Sequence, residues 1–185
     1  MNIEIIAGSP RENSVTHRVA LFLKTFLEQH TQHTVNIIDV REWNLPLLQN
    51  VFVSVEDTPE EFKPLSKRMF AANAFILVTP EYNGSYTPAM KNVLDHYPKQ
   101  SHKAFGIVTA SPGIMGGMRA TQQMQLLINA LFGIASPHML VVGNVDKRFD
   151  AEGNLLDSSF QKSIDVFVKE FLWLAESLHP ETVLN

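Results

Sequence analysis

The chain has 185 residues, a length that predicts one α/β or α+β domain with a core needing no staples. A net charge of −4 without basic runs argues against nucleic-acid and membrane-surface partners. The lack of cysteine rules out disulfides, thiolate nucleophiles and Cys-ligated metals.

Met1 leads straight into Ile3, Ile5 and Ile6, without the basic start and long apolar core of a signal peptide. No run approaches the ~18 apolar residues that span a bilayer, so the expected location is the cytoplasm. The first apolar run, Asn2 to Ala7, predicts a strand ending in the turn Gly8-Ser9-Pro10. From Ser14 to Gln29, Val15, Val19, Phe22 and Phe26 recur at helical spacing, with Leu23 and Leu27 widening the stripe. Val35 to Asp39 reads as a second strand, and Arg41 to Val55 as a long connection. A helix is expected over Thr58 to Ala72, with Thr58 as N-cap, Pro59 at the first position and Glu61 closing a capping box. Pro64 counts against a regular first half.

The third strand, Ala74 to Thr79, is apolar almost throughout, as a strand covered on both faces should be. It runs into Pro80-Glu81-Tyr82-Asn83-Gly84-Ser85 and a helix carrying Met90, Val93, Leu94 and Tyr97 on one face. A fourth strand, Ala104 to Ala110, meets Ser111 to Gly117 and a helix with the stripe Ala120, Met124, Leu127 and Leu131. Pro137 to Val142 suits a fifth strand, and Phe160, Ile164, Phe167, Phe171, Leu174 and Leu178 mark a last helix. Alternating strands and helices predict a parallel sheet wrapped by helices.

Ligands of such sheets bind outside the carboxyl ends of the strands, where three unusual loops lie. The first, Gly8 to Thr16, joins a strand to a helix start, which attracts anions. Hydroxyls of Ser9, Ser14 and Thr16 and the guanidinium of Arg11 suit a phosphate, although Asn13 or Ser14 can equally cap the helix. The glycines and lysine of dinucleotide and Walker loops are missing, so a monophosphate matches better. The second, Thr79 to Pro88, is stiffened by two prolines, presents Tyr82, and has Asn83-Gly84 suited to a turn with positive φ. The third, Ser111 to Gly117, has three glycines that admit a ligand close to the backbone and no aromatic to cover a flat ring. His30 and His33 share a helical metal-pair spacing but lack a carboxylate at matching spacing, so they read as solvated.

The order Gly8-Ser9-x-Arg11-x-x-Ser14, Pro80-Glu81-Tyr82-Asn83-x-Ser85 with Lys91-Asn92-x-x-Asp95, and Ser111-x-Gly113-x-x-Gly116-Gly117-x-Arg119 resembles the NAD(P)H-dependent FMN reductase family of the flavodoxin-like superfamily. The resemblance implies a flavodoxin-like three-layer α/β sandwich, with a five-stranded parallel sheet in the order 2-1-3-4-5. It implies non-covalent FMN, its phosphate held by Ser9, Arg11, Ser14 and Thr16. Pro80, Glu81, Tyr82, Asn83, Gly84 and Ser85 would line the isoalloxazine, with Ser111, Gly116 and Gly117 on the pyrimidine side. NADPH or NADH would donate electrons for a small acceptor such as a quinone, azo compound, metal oxyanion or free flavin, with no side chain acting as acid, base or nucleophile. A flavodoxin-type electron carrier is the alternative. Thr16, where many relatives carry Asn, and Asp95-His96-Tyr97-Pro98 depart from the family pattern. A homodimer or homotetramer is expected, with Trp43, Leu45, Leu47 and Leu48 as a candidate contact patch.

Overall fold

The computed structural model describes residues 1–179. Its strands are β1 (Asn2–Ala7), β2 (Thr34–Asp39), β3 (Ala74–Thr79), β4 (Ala104–Ser111), β5 (Ile134–Ala135) and β6 (Leu140–Gly143). They form one parallel sheet in the order β2-β1-β3-β4-β5, with β6 also paired to β4. The expected order is present, but the fifth strand expected over Pro137 to Val142 begins only at Leu140, as β6, and a short β5 that the sequence reading did not include precedes it. Phe105 pairs with Ala135 whereas Val108 pairs with Leu140, so two extra residues leave the ladder between β5 and β6. Pro137 sits in that gap with no N–H to give; the last bond before it runs from Ser136 N–H to Phe105 O, at 2.8 Å.

Alternation along the strands sends side chains to two cores. Ile3, Ile5, Ile76 and Val78 pack under α1 (Val15–His30) and α6 (Gln161–Leu178), together with Val145 of the short α5 (Val145–Arg148). Ile6, Phe75, Leu77 and Ile107 pack under α2 (Lys63–Ala71), α3 (Pro88–Asp95) and α4 (Met118–Ala130). β3 is buried along its whole length, as its apolar sequence requires. The apolar stripes of α4 and α6 lie in these cores: Met124, Leu127 and Leu131 on one face of the sheet, Ile164, Phe167, Phe171 and Leu174 on the other, and Ala120 is buried as well.

The expected capping box at Thr58 is absent. Pro59 precedes a 3₁₀ turn over Glu60–Phe62, and regular helix begins only at Lys63, which places Pro64 harmlessly in the first turn. The Thr58 hydroxyl turns inward instead, donating to Ser54 O at 2.7 Å and meeting Ser66 Oγ at 2.9 Å, which in turn meets the Tyr97 hydroxyl at 3.0 Å. Each hydroxyl has one proton, so Ser66 donates to Thr58 and Tyr97 to Ser66. Burial pushes the Tyr97 phenol up to about 12. Tyr97 itself lies past the end of α3, whose C-cap is His96.

The apolar connection after β2 is also less open than its sequence suggests. Trp43 and Leu45 are half-buried against the second core, and Asn92 fixes this stretch by donating to Leu45 O at 3.2 Å and Pro46 O at 2.9 Å. The exposed apolar residues are Leu47, Leu48, Val51 and Val53.

Glu4 is a carboxylate on β1 between two neighbouring strands, and only 3% exposed. Arg68 of α2 meets it with two bonds, Nε to Oε1 at 3.1 Å and Nη2 to Oε2 at 2.5 Å. Taking a carboxylate out of water is costly unless it stays paired. Arg68→Ala is therefore expected to lower unfolding free energy by about 3 kcal/mol, whereas Glu4→Met should cost far less because it removes the buried charge. Urea denaturation of the two variants checks this; equal losses would show that the carboxylate does not depend on its partner.

Candidate functional site

The connection after β1 leads to α1 on one face of the sheet, and the connection after the adjacent β3 leads to α3 on the other. Adjacent connections that leave in opposite directions open a crevice at the strand ends. A cleft of about 130 Å³ occupies that place. Ser9, Arg11, Ser14, Thr16, Pro80, Glu81, Tyr82 and Ser111 all line it, joined by Asn13, Val15, Ala110 and Pro112. The three loops singled out in the sequence thus converge. Asn83, Gly84, Ser85, Gly116 and Gly117 stand outside this lining.

In the first loop, Gly8 N–H donates to Val78 O at 2.8 Å, and the Thr87 hydroxyl donates to Gly8 O, so the start of the loop is tied to β3 and to the cap of α3. Ser14 is the N-cap of α1, its Oγ accepting from His17 N–H at 3.3 Å. Accepting leaves the Ser14 proton free for a ligand, so capping and anion binding are compatible. The N–H groups of Val15 and Thr16, in the first turn, have no acceptor among the described residues. The Thr16 hydroxyl is directed to Ala110 O at 3.4 Å, which joins α1 to the end of β4. Its proton is therefore engaged within the protein, unlike that of Ser14.

The second loop contains a tight two-residue turn. Tyr82 N–H donates to Ser85 O at 2.8 Å and Ser85 N–H to Tyr82 O at 3.1 Å, with Asn83 at φ 51° and Gly84 at φ 85°. Both central residues have positive φ, as the Asn-Gly pair predicted. The turn holds Tyr82 at the mouth of the cleft, where the Arg11 guanidinium lies 5.1 Å from its ring centre. That contact bridges the first and second loops.

The third loop lies against β6. A Cβ at Gly116 would come within 2.7 Å of Gly143 N, and one at Gly143 within 2.3 Å of Ile114 O. Two facing glycines, rather than one flexible loop, set this approach; Gly143 carried no signal in the sequence because it reads as an ordinary strand end. Ser111 Oγ accepts from Gly113 N–H at 3.1 Å and keeps its own proton free.

Glu81 has a role that the loop sequence did not reveal. Its carboxylate accepts from Arg119 N–H at 3.1 Å and lies 3.4 Å from Arg119 Nη1, so it supplies the acceptor for the start of α4 that the N-cap Gly117 cannot. The N–H groups of Gly116, Met118 and Ala120 are bonded to Gly113 O, Met115 O and Gly117 O, each at 3.1 Å. Among the described residues the Gly117 N–H alone is left without an acceptor from Gly116 to Ala120. The helix start is therefore a narrower source of donors than its glycines suggest.

Elsewhere, His30 stacks on Phe26 and its Nδ1 lies 2.7 Å from Phe26 O, while His33 Nε2 lies 3.0 Å from Glu176. No cluster of three metal-ligating side chains occurs among the described residues.

The free N–H groups, hydroxyl protons and guanidinium of the cleft fit a phosphorylated ligand, and comparison with known proteins names the class. Residues 1–147 match the family described as NADPH-dependent FMN reductase. The chain is 30% identical over 174 residues to the FMN-dependent NADPH-azoreductase of Staphylococcus aureus, covering 91% of this chain and 92% of that protein. In fold it is similar to the NAD(P)H:(acceptor) oxidoreductase FerB of Paracoccus denitrificans, with a TM-score of 0.72 at 20% identity over 95% of this chain and 97% of the other. An NADH:FMN oxidoreductase in its apo form gives a TM-score of 0.69 at 17% identity, covering 98% and 91%. The chain belongs to the NADPH-dependent FMN reductase family and is an FMN-dependent NAD(P)H oxidoreductase.

Proposed function

We propose that residues 1–185 act as one domain that holds FMN non-covalently in the cleft between the three loops. Ser9, Arg11, Ser14 and Thr16 take the phosphate, with the N–H groups of Val15 and Thr16 beneath it. Pro80 to Ser85 flank the isoalloxazine, and Ser111, Gly116 and Gly117 meet its pyrimidine side. The observation that carries this reading is the pair of unpartnered N–H groups at the start of α1, in residues that line the cleft. Ser14 contributes a hydroxyl proton and Arg11 a charge-assisted contact. The Thr16 hydroxyl fixes the helix to β4, so Thr16 meets the phosphate through its N–H.

Bound FMN supplies the exchange of two electrons between the nicotinamide nucleotide and the acceptor. The chain's own residues bind and orient. Glu81 holds the start of α4 against the second loop through Arg119, and the Gly117 N–H remains available to a negative charge on the pyrimidine side. No aromatic side chain occurs from Ser111 to Gly117 to cover the ring, which leaves room for a nicotinamide and then for a planar acceptor. An azo compound or a quinone suits that space, an azo substrate being the one named for the Staphylococcus aureus relative. Work in the cytoplasm as a homodimer or homotetramer fits two features: no helix among the described residues is long and apolar enough to cross a membrane, and Leu47, Leu48, Val51 and Val53, close in sequence, are each exposed.

Purified protein loaded with FMN is expected to oxidise NADPH or NADH in the presence of an azo dye or a benzoquinone. Absence of steady-state turnover with every acceptor, despite bound flavin, would assign the protein to the electron carriers. Arg11→Ala is expected to weaken FMN binding by about 1.5 kcal/mol, the lower end for a hydrogen bond to a charged group because Arg11 is exposed. Fluorescence titration measures it, and unchanged affinity removes Arg11 from the site.

A further inference from the structure

The first loop is held from outside by a residue that neither lines the cleft nor belongs to a family motif. β2 ends at Asp39, which pairs in register with Ala7, the last residue of β1 before the loop. Asp39 is 6% exposed and gathers three groups. Arg41 N–H donates to its Oδ1 at 3.0 Å, Arg41 Nε lies 2.9 Å and 3.0 Å from its two oxygens, and Arg41 Nη2 also meets Oδ2. His17 of α1 places Nδ1 at 3.5 Å from Oδ2. With its other edge fixed in this way, the Arg41 guanidinium directs Nη1 to the carbonyl of Glu12, at 2.9 Å. Glu12 is in the middle of the span from Ser9 to Ser14.

Asp39 keeps its charge despite burial. Burial pushes its carboxyl up, but the bonds and charge of Arg41 outweigh that and hold it below the usual carboxylate range. The fork geometry matters as much as the charge. A guanidinium can bind a carboxylate along one edge while a separate N–H reaches a carbonyl; an ammonium is a point donor.

We propose that Arg41 is a positioning residue for the phosphate end of the FMN site, clamping the Glu12 carbonyl so that the loop between Ser9 and Ser14 is already in its binding shape. The proposal rests on the assignment of the phosphate to this loop. It gives Asp39 a purpose as the fixed base of the clamp, and it makes the end of β2 part of cofactor selection without touching the cofactor. A loop shaped in advance saves the ordering cost of binding.

The clamp acts on one end of the ligand, so FMN and riboflavin, which lacks the phosphate, separate it from general stability. Fluorescence titrations of wild type, Arg41→Ala and Arg41→Lys with each flavin provide the test. Wild type is expected to prefer FMN strongly. Arg41→Ala should bind FMN about tenfold more weakly, the scale of one lost hydrogen bond, with its riboflavin affinity unchanged. Arg41→Lys, which keeps the charge but not the fork, should show most of the same loss. Wild-type FMN affinity in either variant, or an equal loss for both flavins, overturns the proposal. Should Arg41→Ala fail to fold, Arg41→Lys decides alone. A wild-type protein that does not distinguish FMN from riboflavin instead removes the phosphate assignment itself, and the clamp with it.

Discussion

The N–H groups of Val15 and Thr16 lie at the start of a helix and have no acceptor among the described residues. Leaving such donors without a partner costs about as much as a lost hydrogen bond unless water or a ligand satisfies them. The sheet order puts these two residues on the wall of a cleft, because β1 and β3 are neighbours whose connections leave to opposite faces. Everything else at the site serves that arrangement. Ser14 caps the next N–H and keeps its own proton, Thr16 ties the helix to β4, and Arg11 over Tyr82 joins the two loops that border the opening.

Binding of an anion there is electrostatically cheap, since the helix start contributes partial positive charge. The other end of the cleft is different. Glu81 places a carboxylate at the start of α4 and satisfies Arg119 N–H, so that helix offers little to a second anion. The starts of α1 and α4 therefore play unequal roles: α1 leaves the N–H groups of Val15 and Thr16 open for a ligand, whereas α4 leaves only that of Gly117. This inequality gives the cleft a direction, and the proposed function puts the phosphate at the α1 side and the ring system towards the third loop.

Much of this was legible in the sequence because it rests on local chemistry. Apolar periodicity gave the strands and helices, Asn83-Gly84 marked a turn with positive φ, and Ser14 marked a cap. What was not legible depends on contacts between distant residues. Glu81 reaches α4, Arg41 reaches Glu12, and Gly143 makes room for Ile114, none of which leaves a periodic trace. Thr58 reads as a cap in isolation, yet its hydroxyl serves a buried chain through Ser66 to Tyr97. Trp43 and Leu45 read as surface, yet the core beneath α3 draws them in. Pro137 reads as the start of a strand, yet it lies in the gap between β5 and β6, which is set by pairing with β4 that the sequence does not display.

The central claim is that the phosphate of FMN sits on the exposed start of α1. Amide chemical shifts of isotope-labelled protein, followed while FMN and then riboflavin are titrated, test it at the atoms concerned. The account predicts large displacements of the Val15 and Thr16 amide signals with FMN and small ones with riboflavin. Unmoved Val15 and Thr16 signals in protein whose flavin absorbance shows FMN bound would contradict it.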